Sequence, residues 1–101
     1  MGQGTRAKPA RLPEKLLQLR ERLGLSQNGL LKYLGLNDEF SQGDVSEWET
    51  GRREPSLLVL LKYARAAGVT MDVLADDEVD LPRLLPVKPG KRSGREKARR
   101  R

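Results

Sequence analysis

The 101-residue sequence contains no cysteine and no histidine. The first absence excludes disulfides and thiol nucleophiles, the second excludes imidazole acid–base catalysis, and together they remove the usual zinc ligands. We therefore expect neither a metal nor a cofactor. An enzyme is disfavoured as well, because the carboxylates are scattered and no glycine-rich phosphate loop is present.

Long hydrophobic runs are also missing. The longest uninterrupted apolar run is Leu57 to Leu61, whereas a membrane-spanning helix needs about 20 such residues. Residues 1–15 lack the apolar segment of a secretory signal. These features predict a cytoplasmic protein with no membrane contact and no identified small-molecule substrate.

Acidic and basic residues are unevenly distributed, although the net charge is +6. Residues 1–15 carry a net charge of +3 and residues 81–101 carry +8, whereas residues 16–80 hold seven basic and twelve acidic residues, a net charge of −5. The basicity therefore belongs to the two ends of the chain. A nucleic-acid partner would be attracted mainly by these ends, and the central region is expected to be acidic.

Composition indicates a single folded domain with tails, since a chain of this length is too short to divide into several domains. Segments rich in Gly, Pro and basic residues have little to bury and are expected to stay unfolded. The four predicted segments are a flexible basic arm at residues 1–11, a folded domain at 12–75, an acidic turn and extended strap at 76–87, and a disordered basic tail at 88–101.

The central region predicts five short helices and no sheet, because apolar residues recur at helical spacing and never alternate over a sustained stretch. Glycines and prolines mark the helix boundaries. The predicted inward-facing residues are Leu12, Leu16, Leu19 and Leu23 in the first helix, Leu30, Leu31 and Leu34 in the second, Val45 and Trp48 in the third, and Leu57, Leu58, Leu60, Leu61 and Ala64 in the fourth. The short fifth helix holds Met71, Val73 and Leu74.

The third predicted helix, residues 42–50, has a narrower apolar stripe than the others. Ser41 is a suitable N-cap, Asp44 stands at the position used by a capping box, and Gly51 follows as a stop. Val45 and Trp48 share one face at i,i+3 spacing. Such a helix is anchored on one side and leaves its polar side free, as expected of a recognition helix.

The ordered set of these features resembles the phage-repressor/Cro-like helix-turn-helix regulators, also called the XRE family. The resembling residues are Leu19-Arg20, Gly24-Leu25-Ser26-Gln27, Val45 through Arg53, Pro55-Ser56, Leu60-Leu61, Ala64 through Val69, and Asp72-Val73-Leu74. The resemblance implies an all-α, lambda-repressor-like domain and a bacterial transcriptional regulator, associated with the nucleoid. It also implies that the partner is double-stranded DNA, which a homodimer would bind.

The resemblance also implies roles for individual residues. Base-reading positions would be Gln42, Gly43, Ser46 and Glu47, and DNA phosphate contacts would come from Gln27, Thr50, Arg52 and Arg53. Structural roles would fall to an ion pair between Arg20 and Glu49 and to the anchors Val45 and Trp48. The side-chain chemistry agrees, because Gln can pair with adenine and Glu can accept a hydrogen bond from cytosine.

Two features depart from the family pattern. Asp44 and Glu47 place carboxylates on the face that approaches a polyanion. The turn before the third helix, around residues 36–40, is about four residues longer than is usual for such a helix-turn-helix motif. An insertion there could tilt the third helix or bring Phe40 into the core.

An alternative function remains open at this point. The same fold could serve as a protein-interaction module, such as an antitoxin or co-regulator, that binds DNA only non-specifically through its basic tail. Its support is the acidic residues Asp44 and Glu47 and the acidic turn, Asp76-Asp77-Glu78. For a homodimer, helix five and the strap Leu81–Pro86 are the candidate contacts, because Leu84 and Leu85 would otherwise be exposed.

Overall fold

The computed structural model describes residues 8–85, so the predicted basic tail and most of the predicted basic arm lie outside the described residues. The described chain contains five helices and no strand, which confirms the all-α prediction. The helices are α1 (Leu12–Arg22), α2 (Gln27–Leu34), α3 (Gln42–Thr50), α4 (Leu57–Ala67) and α5 (Met71–Ala75). None of them is long and apolar enough to cross a membrane.

Side-chain caps define the starts of α2 and α4. The hydroxyl of Ser26 accepts a hydrogen bond from the N–H of Gly29 at 2.9 Å, and that of Ser56 accepts from the N–H of Val59 at 3.2 Å. Each bond satisfies a backbone donor that the first turn of a helix leaves free. The short helices therefore begin at the serines that the sequence indicates.

The helices enclose a single core, to which all five contribute. Helix α1 packs against α3 and α5, α2 packs against α3 and α4, and α4 packs against α5. The buried apolar residues on the helices are Leu12, Leu16, Leu19, Leu30, Leu31, Leu34, Val45, Trp48, Val59, Leu60, Tyr63, Ala64, Ala67 and Leu74. Because α3 lies against both α1 and α2, its inner stripe is fixed from two directions.

The predicted buried face of α4 is wrong at its first two residues. Leu57 and Leu58 are each 71 % exposed. The inward stripe instead comprises Val59, Leu60, Tyr63, Ala64 and Ala67. At 100° per residue Leu58 lies roughly opposite Leu60, so it cannot share the buried face. Because every residue from Leu57 to Leu61 is apolar, the sequence does not show which of them face the core.

The segment after α5 returns across the first helix. Leu81 is buried against the core, Leu85 is partly buried, and Leu84 is 85 % exposed. Arg22, at the end of α1, donates a hydrogen bond to the carbonyl of Pro82. The predicted strap therefore packs through Leu81, and Leu84 is left facing outward.

Lys15 is the buried charge at the α1–α5 contact, where the side chain is only 1 % exposed. Its ammonium donates to three backbone carbonyls, those of Val73 at 2.7 Å, Asp76 at 2.9 Å and Val79 at 2.7 Å. All three donors of the ammonium are thus matched by acceptors. The bonds hold the chain leaving α5 against α1.

A second set of bonds joins the start of α1 to the acidic turn. The carboxylate of Asp77 accepts from the backbone N–H groups of Ala10 and Arg11, both at 2.9 Å. The Arg11 guanidinium donates to the Asp77 carbonyl at 2.8 Å and pairs with Asp80 at 2.9 Å. The last two residues of the predicted flexible arm are therefore tied to the domain.

Candidate nucleic-acid interface

The inner face of α3 is anchored by an aromatic cluster. Val45 is fully buried and Trp48 is 4 % exposed. The Trp48 ring meets the rings of Phe40 and Tyr63 edge-on, at centroid distances of 5.1 and 6.4 Å. Phe40, from the long turn before α3, is thus brought against the core. Such contacts leave Trp48 no freedom to stack on a base.

A buried ion pair fixes the C-terminal half of α3. Arg20 Nε donates to Glu49 Oε2 at 2.6 Å and Arg20 Nη2 donates to Glu49 Oε1 at 3.1 Å, a bidentate arrangement. The side chains are only 16 % and 5 % exposed. The hydrogen bond to Glu49 is the main reason that the pKa of Arg20 is raised. The pair ties α1 to α3.

Gln27 joins the same network. Its side-chain amide donates to Glu49 Oε1 at 3.1 Å, so the first residue of α2 is held against α3. One amide hydrogen is used in this bond, and a second remains. The structure therefore gives Gln27 a role in fixing the angle between the two helices of the helix-turn-helix unit.

The opposite side of α3 carries the four residues predicted to read bases, Gln42, Gly43, Ser46 and Glu47, and we call this surface the reading face. Gln42 and Gly43 are exposed, and Ser46 and Glu47 are partly exposed. A methyl group added at Gly43 would meet only the Ser41 hydroxyl, at 3.7 Å. The four predicted base-reading residues thus lie together on a surface that the core does not use.

The N-terminal end of α3 is closed by its own side chains. Asp44 Oδ2 accepts from the backbone N–H of Ser41 at 2.8 Å. The same oxygen lies 3.3 Å from the Ser41 hydroxyl. Asp44 is therefore occupied in capping the helix, which gives this carboxylate a structural reason to stand beside the reading face.

The chain reverses direction after α3 and brings two arginines alongside it. Gly51 adopts a φ of 80°, which L-residues rarely adopt. A methyl group added there would also approach the ring of Pro13 to 3.3 Å. Arg52 and Arg53 are both exposed. Arg53 Nη1 lies 3.4 Å from Glu47 Oε1 and 3.8 Å from Asp44 Oδ1.

Thr50 and Lys8 also lie at the C-terminal end of α3. The Thr50 hydroxyl donates to the backbone carbonyl of Ser46 at 2.9 Å, so a phosphate contact from Thr50 requires that bond to be exchanged. Lys8 lines the same shallow depression as Gly51 and Arg53. Lys8 therefore lies next to the C-terminal end of α3.

The sequence does not predict the contacts of Lys15 and Asp77, because Lys15 belongs to the basic N-terminal region and Asp77 to a predicted acidic turn. The partners of Lys15 are backbone carbonyls and those of Asp77 are backbone N–H groups, which are present at every position and leave no pattern in the sequence. Only the helical register offers a signal for Lys15, since it lies beside the buried Leu16 and Leu19.

Comparison with known proteins gives one family match. A family model described as helix-turn-helix matches residues 16–74. No curated protein and no solved structure matches the chain. The matched region is more than half of the chain and runs from α1 into α5, so it includes α2, α3 and the turn between them.

Proposed function

This chain belongs to the XRE family of helix-turn-helix regulators, which bind DNA, and we propose that it reads a specific DNA sequence with α3. The observation that carries the proposal is the division of α3 into two sides. Val45, Trp48 and Glu49 fix the helix from within, whereas the reading face stays outside the core. A helix held rigidly with a polar face outward is suited to the major groove.

The reading face offers three kinds of base contact. Gln42 can pair with the N6 and N7 atoms of adenine, and Glu47 can accept from the N4 amine of cytosine. Ser46 can serve as donor or acceptor. Gly43 has no side chain, so it lets the groove edge approach the helix closely.

Attraction to DNA must come from outside the reading face, since Asp44 and Glu47 oppose it. Arg52, Arg53 and Lys8 stand at the C-terminal end of α3 and are suited to phosphate contacts. Gln27 can add a phosphate contact through its second amide hydrogen. The basic residues 88–101 supply further attraction, and each phosphate neutralised steepens the salt dependence by about 0.9.

In vitro selection from random DNA tests this proposal. The full-length protein is expected to enrich one motif. Gln42→Ala and Glu47→Ala should each relax the preference at one base pair, which typically carries about 1–3 kcal/mol. Glu78→Ala, which removes an equal charge from the acidic turn, is the matched control and should leave the motif unchanged.

Failure of the selection has a defined meaning. If the wild-type protein enriches no motif and deletion of residues 88–101 abolishes DNA retention, sequence-specific binding is wrong. That pair of results would favour the interaction module with non-specific, tail-driven DNA binding. An unchanged motif in both Gln42→Ala and Glu47→Ala would show that bases are read from elsewhere.

We also propose that the protein acts as a homodimer on an inverted repeat, with half-sites about 34 Å apart. Helix α5 and the strap offer less apolar surface to a second copy than the sequence predicts, because Leu74 and Leu81 are buried in the protomer's own core. The exposed leucines that remain are Leu57, Leu58 and Leu84. A second copy covering them would remove apolar surface from water.

Analytical ultracentrifugation distinguishes the two surfaces. Leu57→Ser/Leu58→Ser should weaken the dimer if the start of α4 forms the contact, and Leu84→Ser should do so if the strap forms it. Each variant serves as the control for the other. A wild-type protein that stays monomeric at high concentration, both free and on an inverted repeat, would contradict the dimer.

A further inference from the structure

The backbone N–H of Arg53 is hydrogen-bonded to Glu47, the residue that the Arg53 side chain also contacts. The N–H groups of Gly51, Arg52 and Arg53 all donate to the carbonyl of Glu47, the last two at 3.0 and 3.2 Å. The positive φ of Gly51 allows the chain to fold back in this way. Arg53 is therefore held close to Glu47 before its side chain makes any contact.

The Arg53 guanidinium bridges two of the carboxylates of α3, those of Asp44 and Glu47. Its Nη1 atom lies 3.4 Å from Glu47 Oε1 and 3.8 Å from Asp44 Oδ1. Asp44 is restrained by Ser41, whose N–H binds the other carboxylate oxygen. Glu47 is different, because within residues 8–85 its Oε2 atom accepts no hydrogen bond. One oxygen of Glu47 is thus held and the other is available.

Resting on the proposed function, we infer that Arg53 is a positioning residue for base readout by Glu47. Arg53 holds Oε1, so that Oε2 can accept a hydrogen bond from the exocyclic amine of cytosine. The contact restricts the rotamers of a long side chain, which would otherwise lose that freedom on binding. It also offsets the repulsion between the carboxylate and nearby phosphates.

This role differs from an ordinary phosphate contact in what it predicts. A phosphate contact contributes to every sequence alike, whereas the contribution that Arg53 makes through Glu47 appears only where a cytosine is read. The Arg53 side chain is 67 % exposed, and exposed ion pairs add little to stability. Its effect should therefore appear in base preference and leave the melting temperature unchanged.

Binding of the full-length protein to its selected site and to single-base variants of that site tests the inference. Glu47→Ala identifies the base pair that depends on Glu47. Arg53→Ala should lower the preference at that same base pair by about tenfold, and Arg53→Lys, which retains a donor, should restore part of it. The double variant Glu47→Ala/Arg53→Ala should lose no more preference there than Glu47→Ala alone.

Arg52→Ala is the matched control, since it removes the same charge from the neighbouring exposed residue. It should weaken all sites equally and reduce the salt slope by about 0.9. Arg53→Ala behaving like Arg52→Ala, with the cytosine preference intact, would overturn the inference and leave the proposed function standing. A wild-type protein that selects no motif would overturn both.

Discussion

Two acidic regions of this protein use their carboxylates in opposite ways. In the acidic turn, Asp77 binds the backbone N–H groups of Ala10 and Arg11, and the neighbouring carbonyls surround the ammonium of Lys15. On α3, Asp44 and Glu47 stay on the helix surface, and their cationic partner Arg53 lies on the exposed flank of the same helix. The first region holds the domain together and the second is presented outward.

The comparison shows that acidic residues alone do not identify a partner surface. The interaction-module alternative draws support from both regions. In the turn, Asp77 is engaged with α1 through Ala10 and Arg11, whereas Asp76 and Glu78 remain exposed. Support for that alternative from the turn therefore rests on Asp76 and Glu78 and not on Asp77.

The largest expected effect is a difference in the free energy of unfolding between variants of two α3 carboxylates, Glu49 and Glu47. Glu49→Ala should destabilise the domain by about 3–5 kcal/mol, because it leaves the largely buried Arg20 without a counter-charge and deprives Gln27 of its acceptor. Glu47→Ala, two residues earlier on the exposed side, should change stability by less than about 0.5 kcal/mol. Urea unfolding followed by circular dichroism measures both.

A double variant keeps the Glu49 prediction testable if the single variant does not fold. Arg20→Leu/Glu49→Leu should recover much of the lost stability, since removing both charges leaves neither one buried alone. Equal stabilities for Glu49→Ala and Glu47→Ala would contradict the prediction that only the inner carboxylate, Glu49, stabilises the domain.

The next largest effect on stability tests whether the acidic turn depends on the buried ammonium of Lys15. Lys15→Met keeps most of the aliphatic stem but removes the ammonium donor from the carbonyls of Val73, Asp76 and Val79, of which only that of Asp76 keeps another donor, the N–H of Val79. We expect a loss of about 2–4 kcal/mol in the free energy of unfolding. Lys62→Met, at an exposed position of α4, is the control and should have little effect. A wild-type unfolding midpoint for Lys15→Met would show that the turn does not depend on the buried ammonium.

Local features of the fold are predictable from the sequence because they depend on nearby residues. Ser26 and Ser56 act within three residues of their partners, and Gly51 ends α3 through its own backbone preference. The paired stripe of Val45 and Trp48 identifies the inner side of α3. The side opposite that stripe is exposed, so the spacing of two apolar residues is enough to locate the outward side of α3.

Features that depend on distant partners are not predictable in this way. Asp77 and Arg11 are 66 residues apart, and the donors and acceptors involved are mostly backbone atoms. The prediction wrongly places Leu57 and Leu58 in the core because five consecutive apolar residues fit several helical phases. For Gln27 the prediction names only a phosphate, since nothing in the sequence indicates that Glu49 lies within reach of its amide.

A smaller, pH-dependent effect probes the charge of the turn itself. Backbone hydrogen bonds from Arg11 and Ala10 lower the pKa of Asp77 below its ordinary value of 3.8. The folded state therefore favours the charged form, which stabilises the protein above that ordinary value and ceases to do so as the pH falls through the lowered pKa. Asp77→Asn should melt below the wild type at pH 7, with a gap that narrows as the pH falls below 3.8.

The exposed neighbour Glu78 supplies the control for this titration. Glu78→Gln removes the same charge from the exposed residue next to Asp77 and should melt close to the wild type at pH 7. A constant gap for Asp77→Asn between pH 7 and pH 3 would mean that its carboxylate charge does not hold the start of α1.

The smallest expected effect concerns the buried hydroxyl of Tyr63, which differs from the Lys15 ammonium in its hydrogen bonding. Tyr63 is 1 % exposed, and its hydroxyl has no hydrogen-bond partner among residues 8–85. Burial raises the pKa of this phenol, so the group remains neutral. Because an unpaired buried hydroxyl costs free energy, Tyr63→Phe should leave stability unchanged or raise it by up to about 1 kcal/mol. A clear loss in urea unfolding would instead reveal a partner for the hydroxyl in solution, and the contrast with the fully paired ammonium of Lys15 would disappear.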